Sequence, residues 1–199
     1  MKKMMMMLIM ATVALTASAQ NTLRDNGTFT LQPKVGIGIG RLSGEWKTYS
    51  GVEDKSRIGL VAGVEGEYYA TEWLGIAAGL SYAQQGWKFE GLGQEETTKL
   101  DYLNIPLTGN FYVAKGLALK TGVQFGFLMN AKAEDQDVKD NVEKLNVSIP
   151  VGVSYEFSNF VIDARYNIAV TKCNKYDGGT GDKQRSDLVQ ITLGYKFSL

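Results

Sequence analysis

The chain has 199 residues, with 21 Lys and Arg against 21 Asp and Glu, one cysteine and no histidine. Without histidine there can be no Ser-His-Asp triad, no Cys-His pair and no His-ligated zinc. The lone Cys173 cannot form an internal disulfide, and the balanced charge argues against a general nucleic-acid partner.

The chain opens on a basic Met1-Lys2-Lys3, followed by the apolar run MMMMLIMATVAL and by Ala17-Ser18-Ala19. This is the order of a signal peptide over 1–19: a charged start, a short apolar segment and a small-residue cleavage site. Removing it leaves 19 basic residues against 21 acidic ones. No cysteine follows the apolar run, so no lipoprotein anchor is expected. No later run is long enough for a membrane helix. Residues 20–32 read as a polar periplasmic lead-in, and 33–199 as one domain.

From there the chain alternates. Val147, Ile149, Val151, Val153, Tyr155 and Phe157 fall on one side of an extended segment, and Ser148, Pro150, Gly152, Ser154 and Glu156 on the other. After Ser158-Asn159 the pattern resumes through Phe160, Ile162, Ala164, Tyr166 and Ile168. Period two predicts strands, and the brief interruption a hairpin. Eight strands are predicted, near 34–42, 57–69, 73–86, 98–112, 117–131, 144–157, 160–171 and 187–198. Their connections alternate between short and long. Transmembrane barrels show this asymmetry, with short periplasmic turns and longer extracellular loops.

Which face points inward is decided by volume. One face carries large aliphatic and aromatic residues without a charge, from Val35 and Ile37 to Ile191 and Leu193. The other carries Gly36, Gly38, Gly63, Gly75, Gly122 and Gly126 among Glu65, Glu67, Lys120, Glu156, Asp163 and Arg165. An eight-stranded barrel has an interior just wide enough for side chains to fill. At protein packing density the large apolar set would overfill it, whereas glycines leave room for charged chains. The apolar face therefore looks outward, which only a bilayer tolerates. Tyr68, Tyr69, Trp73, Phe111, Tyr112, Phe157, Phe160, Tyr195 and Phe197 gather at strand ends beside the short turns, as a headgroup-level girdle would. Tyr82, Trp87, Phe127 and Tyr166 would form part of a second girdle.

Four stretches carry a family resemblance: KLDYLNIPLTGNFYV (99–113), LSYAQQGW (80–87), FVIDARYNIAV (160–170) and the terminal ITLGYKFSL. Together they resemble the strands of the small PorT-like outer-membrane barrel proteins of Bacteroidetes, over about 33–199. The last strand also resembles the targeting signal of outer-membrane barrels, although Ser198-Leu199 follow its final aromatic, Phe197. The resemblance implies an outer-membrane barrel. It implies no activity, since some relatives serve secretion or gliding motility and the family shares no single role.

The inward acids and bases are the best chemical constellation. They read as a charge network filling the lumen, with Glu65, Glu67 or Glu156 as partner of Arg165. Paired carboxylates could instead serve acid–base chemistry. The loop acids Glu134, Asp135, Asp137 and Asp140 lack the pattern of a calcium loop, and YDGGTGDKQR (176–185) lacks phosphate-loop spacing. Trp46, Tyr49, Trp87 and Tyr176 fall in predicted outer loops, where they could contact a protein or glycan or pack within the loops.

The expected protein is thus an eight-stranded antiparallel up-and-down transmembrane barrel. It would be a monomer in outer-membrane lipid, with no cofactor, no metal and no catalytic residue, acting through its loops. A soluble lipocalin-like binder of an apolar ligand, with the faces reversed, is one alternative. A narrow channel or a component of a secretion machine is another, and an outer-membrane hydrolase a third.

Overall fold

Strict alternation gives each strand one oily face and one polar face, and rolling the sheet shut leaves no unpaired edge. The computed structural model describes residues 26–43, 52–91, 94–133, 136–173 and 184–199. Within them run β1 (Phe29–Ser43), β2 (Val52–Thr71), β3 (Leu74–Gly91), β4 (Gln94–Ala114), β5 (Leu117–Ala133), β6 (Leu145–Phe157), β7 (Phe160–Ala169) and β8 (Arg185–Tyr195). Each pairs antiparallel with the next. β1 also pairs with β8, from Lys34↔Gly194 to Ser43↔Arg185, and this seam closes the barrel. Past Tyr195 the ladder breaks at Lys196, whose N–H donates to Asn159 O at 2.7 Å. It then resumes with Leu31↔Phe197 and Thr30↔Ser198. Pro33, which has no N–H to offer a ladder, lies in the interrupted stretch.

The three short turns are Glu72-Trp73, Lys115-Gly116 and Ser158-Asn159. Gly116 is left-handed, with φ +82°, and a Cβ there would collide with the Glu156 carbonyl. Only glycine meets both demands cheaply.

The sidedness argued from volume is the one observed. Ile37, Ile76, Val151 and Ile191 lie on the outside with 48–57% of their surface exposed. Glu65, Lys120, Asp163 and Arg165 lie inside, at most 3% exposed. Two glycines show how the charges fit. A Cβ on Gly75 would strike the Glu67 carboxylate, and one on Gly152 would sit 2.8 Å from Arg165 Cγ.

The structure adjusts the predicted boundaries. β1 begins at Phe29, so the last residues of the stretch read as a lead-in are strand. The segment expected to be a signal peptide and the start of the expected lead-in lie outside the described residues. Most of the connection expected over 87–97 is also strand, because β3 and β4 stay paired up to Gly91↔Gln94. β2, β3 and β4 have 20, 18 and 21 residues, about twice what a tilted strand needs to cross the bilayer. One wall of the barrel therefore stands taller than the wall of β6, β7 and β8, whose strands have 13, 10 and 11 residues. The ladder continues because it satisfies backbone groups that a loop would leave to water.

Candidate functional site

The lumen is filled in layers, and period two explains which residue reaches each one. Beside the short turns, the Lys196 ammonium is a hub. It donates to Glu67 at 2.9 Å, to Glu156 at 3.0 Å and to the Tyr69 hydroxyl at 2.8 Å. Glu67 also accepts from Asn110 Nδ2 at 2.7 Å and from the Tyr112 hydroxyl at 2.8 Å. The Tyr69 and Tyr112 hydroxyls lie 3.1 Å apart.

The next layer centres on Glu65. Lys34 reaches it at 2.6 Å, Lys120 at 3.2 Å, and Arg165 Nη2 touches both its oxygens, at 2.7 and 3.0 Å. Asp163 accepts from Lys120 at 2.8 Å and from Arg165 Nε and Nη2, each at 2.8 Å. Together the two layers hold four acids and four bases. A buried carboxylate without a cation would be costly, and here each one has at least one within bonding distance.

Above lies a neutral polar band that includes Asn104, Gln124 and Ser148, with Gln124 Nε2 donating to Ser148 Oγ at 3.4 Å. The loop end is capped by an apolar cluster of Leu42, Trp87, Leu100, Tyr102, Leu128, Ala131, Val142 and Cys173, with Val138 packed against it. Val61, Ala83 and Leu188 form a smaller apolar cluster.

All six predicted network residues are buried, but in two clusters: Glu65, Lys120, Asp163 and Arg165 are joined to one another, and Glu67 and Glu156 meet at Lys196. Arg165 takes Glu65, one of its three predicted partners, and adds Asp163, while Glu67 and Glu156 go to Lys196. Lys34 and Lys196 were missing from the predicted set. The signal was available: both follow the parity that places Gly36 and Gly194 inside.

Three aromatic assignments need correction. Tyr69 is fully buried and Tyr112 partly buried, and both turn their hydroxyls into the lumen rather than standing in the girdle. Each adjoins another aromatic, and neighbours on a strand must face opposite ways. Tyr68 and Phe111 take the outward places, at 46% and 38% exposure. Trp87 is neither a girdle residue nor a free loop contact, for it is buried in the apolar cap. The rest of the girdle packs as a belt. Trp73 stacks on Phe111 and Phe157 on Phe160, while Phe160 meets Tyr195 edge-on and Tyr195 meets Phe197. Trp46, Tyr49, Tyr176, Glu134 and Asp135 lie outside the described residues. Among the described residues, no group of three His, Cys, Asp or Glu could hold a metal.

Cys173 tests the cap. Burial pushes its thiol up to about 12. At pH 8 a soluble maleimide should leave the folded protein unlabelled and label the urea-unfolded chain, where a free thiol titrates near its ordinary value. Prompt labelling of the folded form would open the cap.

A family model described as outer membrane protein beta-barrel domain matches residues 18–174. The chain belongs to this family. It is an outer-membrane β-barrel protein, and its lumen is filled by its own side chains. Solved barrels share the fold at low identity. Ail, the attachment invasion locus protein of Yersinia pestis, is 18% identical over 87% of this chain and 100% of its own, with a TM-score of 0.50. Neisserial surface protein A is 16% identical over 85% and 97%, at 0.52. OprG of Pseudomonas aeruginosa is 11% identical over 87% and 97%, at 0.50. No curated protein matches the sequence.

Proposed function

We propose that this outer-membrane barrel is a plugged scaffold whose work is done by its long connections at the cell surface, through a protein or glycan partner. The supporting observation is the lumen. A charge-balanced double layer at the short-turn end and an apolar cap at the loop end leave a filled interior rather than a water column. The lumen carboxylates are bound to cations inside that interior, so the reading includes no catalytic step. We further propose export by a cleavable signal peptide over 1–19, a monomeric state, and kinship with the PorT-like barrels of Bacteroidetes. The last rests on the strand motifs, chiefly KLDYLNIPLTGNFYV.

The test is to express the full chain, isolate outer membranes, and run the protein on a gel with and without boiling. Detergent-dependent extraction, a mobility shift on heating and no conductance steps in a planar bilayer are the expected results. Discrete conductance steps would favour a narrow channel. Soluble release without a shift would revive the ligand-binding alternative.

A further inference from the structure

The eight charges of the two lumen layers are unevenly placed along the chain. All four acids and two of the bases belong to interior strands: Glu65 and Glu67 to β2, Lys120 to β5, Glu156 to β6, Asp163 and Arg165 to β7. Of the remaining bases, Lys34 belongs to β1 and Lys196 directly follows β8, the two strands that form the seam. The interior strands alone would bring a net charge of −2 into the lumen, and the two seam strands bring it to zero. Lys196 also reaches past its neighbours. Its ammonium bonds Glu67 and Tyr69 on β2, beyond β1, and Glu156 on β6, beyond β7. Lys34 bonds Glu65 on β2, the strand paired with its own, so the bond that spans the seam is Lys196 to Glu67. Both seam cations thus converge on the acids of one strand.

We propose that Lys196 acts as a closing latch, which couples the zipping of the β1–β8 seam to neutralisation of the lumen. While the sheet is open, the excess acids are hydrated and cost nothing. Closure strips that water, and an unmatched carboxylate then opposes burial. The cation that removes this opposition at Glu67 arrives with the strand that shuts the barrel. An incompletely closed sheet is held open by its own acids, and a complete one is bolted from inside across strands that are not neighbours.

The test follows two disulfide pairs during folding. Both join lipid-facing partners in a Cys173→Ser background. Ile37→Cys with Ile191→Cys reports the seam, and Leu107→Cys with Val123→Cys reports the interior β4–β5 ladder. The full chain is diluted from urea into dilauroylphosphatidylcholine vesicles with copper-phenanthroline as oxidant, and cross-linking is timed. Lys196→Met should slow the seam pair at least tenfold and leave the interior pair within twofold of the parent. Adding Glu67→Gln, which restores charge balance, should return the seam to within threefold of the parent. The latch is overturned if Lys196→Met leaves the seam rate unchanged, or slows both pairs alike. It is also overturned if the balanced double variant stays as slow as the single one.

Discussion

Arg165→Ala is expected to cost the folded barrel about 3–5 kcal/mol, the usual penalty for removing one partner of a buried ion pair. Arg165 makes four hydrogen bonds to Glu65 and Asp163. Without it, those two carboxylates keep only Lys34 and Lys120 within bonding distance. Urea unfolding in detergent or vesicles measures the loss, and Arg165→Ala combined with Glu65→Gln should recover part of it. Retained stability with loss of some activity would mean that the network is a working site and not a structural one.

The second large effect concerns the outer face. Val151 lies at the middle of β6, outward and about half exposed. Leu145 lies on the same face at the loop end of that strand. Val151→Arg should destabilise the barrel by about 2–4 kcal/mol, because a guanidinium at the bilayer midplane is poorly solvated, while Leu145→Arg should cost about 0–1 kcal/mol. The measurement is unfolding in lipid vesicles, and the depth profile is what matters. Equal costs at the two positions would mean that the face is packed against protein, as in a ligand-binding barrel.

The architecture was largely readable before any coordinates. Alternation gives strand number and parity, and comparing side-chain volume with barrel volume then gives the inside. Both are collective properties of many residues, so single errors average out. The pairing in the lumen was less readable, because period two tells which way a side chain points but not how far it reaches. Lys196 shows this: its parity with Gly194 puts it inside, yet nothing local says that it spans to β2 and β6. Adjacent aromatics misled for the opposite reason. Tyr68-Tyr69 and Phe111-Tyr112 each count as two aromatics near a turn, but parity allows only one of each pair to face lipid. Trp87 was misplaced because its segment was expected to be loop, and in the structure it remains strand.

The fit of Gly75 to Glu67 and of Gly152 to Arg165 bears on how such a chain can diverge. A lipid-facing position asks only for an oily side chain, so Leu, Ile, Val and Phe can replace one another there. A lumen position is tied to its neighbours. A side chain added at Gly75 displaces a carboxylate, and a lost carboxylate leaves both a void and an excess of positive charge. Substitutions inside must therefore be accepted in linked groups, while those outside drift singly. Barrels can share a fold while sharing fewer than one residue in five, as this chain does with Ail. Descent in such a family is better traced by correlated change among lumen positions than by overall identity.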